Sequence, residues 1–150
     1  MITLDQVRDA LSQYVLTYRH PDLPPLEMSG IYDLFPEDHA DPVANTCAVW
    51  PANYPNRYSR GVYLMLGAHQ QLLYVGKVSM NNSFDSRLAG YFSYTTDGKK
   101  RCQVKHDTWG TRPEFLITIP VSSDMAFEAA ALEEYLIDRL QPPDNTKGKR

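Results

Sequence analysis

Seven of the chain's eleven prolines fall between His20 and Arg60, at Pro21, Pro24, Pro25, Pro36, Pro42, Pro51 and Pro55. Proline lacks a backbone donor and clashes with the preceding turn, so this density forbids a long helix there. The segment is nevertheless apolar, with Ile31, Tyr32, Leu34, Phe35, Val49, Trp50 and Tyr54, and reads as an ordered wrap rather than a free linker. Before it, Leu4, Val7, Leu11, Tyr14, Val15 and Tyr18 recur at steps of three and four. That is one face of a helix, with Thr3 as N-cap and Asp5 in the first turn.

After Arg60 the pattern changes. Gly61–Leu66 and Leu72–Gly76 read as strands around a polar turn, most simply an antiparallel hairpin. Ser83 caps a short helix reaching about Tyr91, with Leu88 and Tyr91 inward. Residues 94–112 are polar and basic and read as a loop or frayed edge. Glu114–Pro120 is the third strand. Ser123 or Asp124 then caps a helix to about Leu140, with Phe127, Ala130, Ala131, Tyr135, Leu136 and Leu140 toward the core, stopped by Pro142 and Pro143. The order β-β-α-β-α predicts an α/β fold: a small three-stranded antiparallel sheet flanked by helices, with an N-terminal helical and Pro-rich extension.

Composition bounds the function. At 150 residues and 43% hydrophobic, the chain carries enough apolar matter for one core, and a net charge of −3 argues against a fully disordered chain. There is no apolar run of membrane-spanning length, no signal-peptide layout and no Cys-x-x-Cys or His-Glu-x-x-His motif. A soluble, cytoplasmic protein is expected, with Cys47 and Cys102 as reduced thiols. Residues 1–60 hold four Lys/Arg against eight Asp/Glu, and residues 61–150 hold eleven against ten. A pI near 5.7 is not that of a basic nucleic-acid module, so any such partner must be argued from local chemistry.

Singly, the polar and aromatic residues of the second half are bland. Tyr63 and Tyr74 are ordinary strand tyrosines, Arg87 an exposed helix arginine, Glu133 a solvated or paired glutamate and Asn145 turn chemistry. Their joint order is not. Gly61-Val62-Tyr63, then Tyr74-Val75-Gly76-Lys77, Arg87 with Tyr91, Glu133 and Asn145 follow one another at hairpin and helix spacings. Over about residues 60–146 this resembles the GIY-YIG nuclease superfamily. Val62 and Val75 replace isoleucines, conservative β-branched exchanges, and Tyr91 stands where some members carry histidine. Among the last helix's carboxylates, Glu133 has the twelve-residue spacing to Asn145 of repair-type members. Glu128 turns far around the helix, and Glu134 points about 100° away. The chain divides, on this basis, into an extension over 1–56 and a nuclease-like domain over 57–150.

The resemblance implies a metal-dependent endonuclease that hydrolyses DNA to 5′-phosphate and 3′-hydroxyl ends. Glu133 would hold Mg²⁺, or another divalent cation such as Mn²⁺. Arg87 would meet the charge built on the phosphate. Tyr63 would take the proton of the attacking water, if Lys77 and the metal depress its pKa, while Tyr74 and Tyr91 orient water or phosphate. Asn145 either positions the scissile region or holds the helix end. Lys99, Lys100, Arg101 and Lys105 would track the DNA backbone. Trp109 reads as a loop anchor more than a base-stacking group. Specificity is expected from residues 1–60, the basic loop, a homodimer or an accessory protein, and the acidic extension packs on the module or shields its site. The alternative is a non-catalytic fold kept for binding DNA or protein.

Overall fold

Two-residue alternation along the central strands sends apolar side chains to both sheet faces, and each face has its own cover. In the computed structural model, which describes residues 1–40, 54–99, 101–105 and 109–146, the elements run α1 (Leu4–Tyr18), β1 (Tyr32–Asp33), β2 (Gly61–Leu66), β3 (Leu72–Val78), α2 (Phe84–Leu88), β4 (Phe92–Tyr94), β5 (Cys102–Val104), β6 (Phe115–Pro120) and α3 (Glu128–Leu140). The main sheet is antiparallel in the order β1-β6-β2-β3, so β3 is an edge strand. Val62, Leu64, Leu66, Ile117 and Ile119 pack with Val7, Leu11, Leu132 and Leu136 of α1 and α3. Tyr63, Met65 and Leu116 point the other way, to Phe84 and Leu88 of α2 and to Phe92 and Cys102.

The three expected strands and helices stand at the expected places, with additions. A fourth strand, β1, comes from the proline-rich wrap and pairs Tyr32 with Leu116 and Asp33 with Phe115. Residues 92–104, expected as a loop or frayed edge, contain the β4–β5 ladder, Phe92 opposite Val104 and Tyr94 opposite Cys102. The start of α3 differs too. Ser123–Met125 forms a 3₁₀ turn, the N-cap is Phe127, and neither Ser123 nor Asp124 caps α3. Tyr135, Leu136 and Leu140 face the core as expected, but the first turn of the apolar stripe differs. Ala129, Leu132, Leu136 and Ile137 are buried, while Phe127 is 64% exposed and Ala131 faces solvent. The α1 cap is as read, with Thr3 and Gln6 closing a capping box, although Tyr18 at its end is exposed. Val49, Trp50 and Cys47 lie outside the described residues.

The N-terminal segment is stitched into this core rather than laid over it. The Ser29 N–H donates to the Thr118 carbonyl at 2.9 Å, and Ser29 Oγ accepts from Thr118 N at 3.0 Å. His39 Nδ1 lies 2.7 Å from Asp33 Oδ2 and its Nε2 3.1 Å from Glu114 Oε2. Burial alone would lower the His39 pKa, but the two carboxylates outweigh it and hold it above the ordinary value. The strongest tie is a buried ion pair between α1's end and α3's first turn. Arg19 Nε and Nη2 donate to the Glu128 carboxylate at 2.7 and 2.9 Å, both side chains 5% exposed. The Tyr14 hydroxyl donates to Glu128 Oε2 at 3.2 Å, and burial with the nearby carboxylate pushes its pKa up to about 12. No described helix is long and apolar enough to cross a membrane.

Removing one partner of a buried pair strands the other charge, at a cost of about 3–5 kcal/mol. Arg19→Met should therefore lower the unfolding free energy by about that much in a urea titration. Arg19→Met combined with Glu128→Leu should recover most of the loss. A single variant within about 1 kcal/mol of the parent would show that α1 is not fixed through this pair.

Candidate active site

Gly76 explains how a tyrosine of the interior strand β2 reaches the sheet's edge. In the β2–β3 ladder Tyr63 faces Gly76. A Cβ at Gly76 would run into Cζ and the hydroxyl oxygen of Tyr63, so only glycine lets the ring lie across β3. Gly61 has a related role: at φ 151° its missing Cβ makes room for the Ile119 carbonyl. The Tyr63 ring, fully buried, ends among three other aromatics. Its centroid is 6.1 Å from Tyr74 and 6.2 Å from Tyr91. Trp109 closes the group at 5.5 Å from Tyr74 and 5.6 Å from Tyr91, which makes it the anchor of its segment.

The hydroxyls converge. Tyr63 OH donates to Tyr91 OH at 3.2 Å. Arg87, presented by α2, lies close enough to the Tyr63 hydroxyl for each to shift the other's ionisation, and holds its guanidinium carbon 5.7 Å from the Tyr91 ring centre. Ser83 and Ser86 form the capping box that starts this one-turn helix and fixes Arg87 on its exposed side. Burial, with Tyr74 and Tyr91 adding to it, drives the Tyr63 pKa far above the ordinary phenol value, against a small opposing pull from Arg87. Burial and the Tyr91 hydrogen bond push Tyr74 up to about 12. Both are neutral phenols at neutral pH. The expectation that Lys77 lowers the Tyr63 pKa does not match this geometry.

Lys77 instead faces α3. It pairs with Val62, whose side chain packs on the α1–α3 side, and its Nζ lies 3.8 Å from Glu133 Oε2. The helix sorts the three glutamates by what surrounds each. Glu128 is consumed by Arg19, Glu134 is exposed, and Glu133 is half-buried beside β3. Burial raises the Glu133 pKa; Lys77 and Arg87 pull it down, less strongly, against a further rise from Glu134. The two sets meet around the edge strand. Tyr74, Lys77, Ser79, Asn82, Arg87 and Glu133 line one open cleft of about 270 Å³, and none of residues 1–40 is among its lining. Ser79 and Asn82 carry no sequence signal beyond polarity.

Asn145 stands apart from that cleft and is buried. Its Oδ1 accepts from the Val75 N–H and its Nδ2 donates to the Val75 carbonyl, both at 2.9 Å. The side chain thus acts as a short substitute strand on β3's outer edge, beside the Asp144 N–H bond to the Leu73 carbonyl at 3.0 Å. It holds the strand rather than the helix end. Of the basic loop, Lys99 is exposed at the β4–β5 turn, and Arg101 is half-buried, its N–H on Thr95 Oγ1. Lys105 Nζ donates to the Ala89 carbonyl at 2.6 Å. Lys100 and His106 lie outside the described residues.

The donor set suits one kind of cation. Among the described residues no group of three or more His, Cys, Asp or Glu side chains is placed to hold a metal ion, so no closed protein cage is present there. One half-buried carboxylate on an open polar cleft fits Mg²⁺ or Mn²⁺, ions that keep several waters and take one or two carboxylates.

The Tyr63–Gly76 crossing generates a stability test. Gly76→Ala should cost about 1–3 kcal/mol or more through overpacking. In a Tyr63→Ala background the same change should cost much less, because the atoms it meets are gone. Equal costs in both backgrounds, by chemical denaturation, would contradict the crossing.

A family model for the UvrC-like GIY-YIG domain matches residues 59–146, more than half of the chain. Two curated relatives, both UvrABC system protein C, come from Synechococcus sp. (strain JA-2-3B'a(2-13)) and Synechococcus sp. (strain JA-3-3Ab). Each is 41% identical over 85 residues, 57% of this chain and 12% of the relative. The chain therefore spans only a small part of the length of these proteins. The match covers β2 through Asn145, the residues that build the cleft, and the chain belongs to the UvrC-like GIY-YIG domain family.

Proposed function

We propose that the protein is a metal-dependent endonuclease that hydrolyses DNA phosphodiester bonds to 5′-phosphate and 3′-hydroxyl ends. The observation that carries this reading is the convergence, on one open cleft, of Arg87, Lys77, Tyr74 and the half-buried Glu133, with Tyr63 behind them. Membership of the UvrC-like GIY-YIG domain family supports DNA as the substrate class.

Each side chain has a role its surroundings support. Arg87 is a permanent cation beside the Tyr63 hydroxyl and free to meet charge gathering on a phosphate. Tyr63, set between Arg87 and Tyr91, is the group proposed to take the proton of the attacking water. In the protein alone it is a protonated phenol, because burial outweighs Arg87, so it can take a proton only as the phenolate, after its own proton has left to solvent, and that ionisation needs further positive charge in the cleft. That requirement is the physical case for metal dependence. Bound at Glu133, Mg²⁺ or Mn²⁺ would polarise a phosphate oxygen and stabilise the departing 3′-oxygen. Lys77 keeps the Glu133 carboxylate ionised and offers a second cation to the phosphate. Tyr74 and Tyr91 orient the water or phosphate, and Asn145 positions Tyr74 by holding the next residue, Val75. Lys99, Lys100, Arg101 and Lys105 are proposed contacts for the flanking backbone, with selectivity supplied outside the cleft by them, a second copy or an accessory protein.

Cleavage of supercoiled plasmid tests the proposal. Nicking or linearisation should require Mg²⁺ or Mn²⁺, stop in EDTA, and fall at least about a hundredfold in Glu133→Gln without a change in Tm. Cleavage by Glu133→Gln at the parent rate would refute the assignment. The acid limb adds a second expectation. Activity should fall as Glu133 is protonated, above the usual carboxylate range because burial raises its pKa. Lys77→Ala removes a charge that favours the carboxylate, so that limb should move to higher pH in the pH–rate profile. Movement to lower pH would contradict the Lys77–Glu133 pairing.

A further inference from the structure

In the residues just before β2, whose carbonyls hold the start of α2, two side chains remain unused by the proposed chemistry. We infer that Tyr58 and Arg60 form a second contact surface for the substrate strand, Arg60 on a phosphate flanking the scissile one and Tyr58 on a neighbouring base or sugar face. The inference rests on the nuclease reading and adds to it a positioning surface outside the family motif residues.

Arg60 leaves the sheet where β2 begins, next to Gly61, whose partner is Val78. Val78 and the following Ser79 line the cleft. The Arg60 Nε donates to the Asn82 carbonyl at 3.3 Å, and Asn82 lines the same cleft. Its own carbonyl accepts from Val121 N at 2.9 Å, which fixes the backbone. The guanidinium has no carboxylate partner among the described residues, unlike Arg57, Arg19, Arg8 and Arg112. Arg87 and Lys77 thus line, and Arg60 borders through Asn82, a cleft whose described lining holds one acid, Glu133. On a chain of net charge −3, that local excess of cations suits a polyanion whose phosphates repeat along a strand.

Tyr58 is 74% exposed yet firmly held. The carbonyls of Arg57 and Ser59 accept the Asp85 and Phe84 N–H groups of α2 at 2.8 and 2.9 Å, and Ser59 N closes a turn on the Asn56 carbonyl at 2.8 Å. Arg57, fastened to Asp85 at 2.6 Å, places its guanidinium carbon 5.2 Å from the centre of the Tyr58 ring. One side of the ring is thus backed by an anchored cation while the ring stays open to solvent. An aromatic fixed in that way offers a stacking platform at little cost in side-chain ordering.

The test is DNA affinity across a series of NaCl concentrations, in EDTA so that no turnover occurs. The probes are a fluorescein-labelled duplex and the same strand unpaired. Arg60→Ala should weaken binding and lower the slope of log K against log salt by about 0.9 on duplex or 0.7 on single strand, one phosphate contact. Arg60→Lys should restore the slope. Tyr58→Ala should weaken binding about fivefold or more with the slope unchanged. Arg139→Ala, at the far end of α3, should match the parent. The inference is overturned if Arg60→Ala keeps the parent slope, if Arg60→Lys fails to restore it, which would mean that Arg60 acts by holding the 79–82 loop, or if Tyr58→Ala binds as the parent does. A parent that binds neither probe would refute the nuclease reading itself, and this surface with it.

Discussion

The passage of the Tyr63 ring over Gly76 is the constraint on which the site depends. Tyr63 belongs to an interior strand and would ordinarily be one more core aromatic. A neighbouring residue without a side chain lets its hydroxyl come out across β3. Once there it meets Tyr91 and Arg87, both delivered by the one-turn helix α2 and the residues after it. The same burial that makes the ring rigid makes the phenol hard to ionise. Rigidity and ionisation are opposed in this arrangement, and in the proposed function positive charge entering the cleft reconciles them.

The second half of the site depends on where α3 lies. Arg19 and Tyr14 of the N-terminal segment take up Glu128, and that contact sets the rotation of the helix. With the helix so turned, Leu132 and Leu136 enter the core and Glu133 comes to β3 opposite Lys77. The segment before residue 57 is thus part of the scaffold that aims the carboxylate. On the other side of β3, Asn145 replaces a missing strand and prevents the edge from opening where Tyr74 must stay in place.

Much of this was legible in the residues. Strands β2, β3 and β6 are short β-branched and apolar runs with clear stops, and the site residues announce themselves by joint order where none does alone. The motif glycine also has a physical reading in the sequence, because a glycine inside a strand marks a close approach. What was not legible has a common cause. The β1 pairing involves two residues and is decided by the sheet edge it meets, since nothing in Tyr32-Asp33 marks a strand locally. The β4–β5 ladder is only three residues long on each side, so the alternation in Phe92-Ser93-Tyr94 and Cys102-Gln103-Val104 is too short to stand out against the polar, basic stretch between them. On α3 the expected Tyr135, Leu136 and Leu140 do face the core, whereas Phe127 and Ala131 do not, because the chain spends Ser123–Met125 as a 3₁₀ turn and α3 begins only after it. Lys77 follows the motif glycine and is an available cation in the sequence, but which face of β3 it takes depends on the ladder register, and strand alternation sends it away from Tyr63.

The central claim is that groups on the two faces of one edge strand act as a single catalytic unit. Single-turnover cleavage by Tyr63→Phe, Glu133→Gln and the double variant tests it most directly. The account predicts that each single change costs about a hundredfold or more and that the double is little slower than the slower single, because members of one unit fail together. Losses that multiply in the double, or a Tyr63→Phe variant that cleaves at the parent rate, would contradict it.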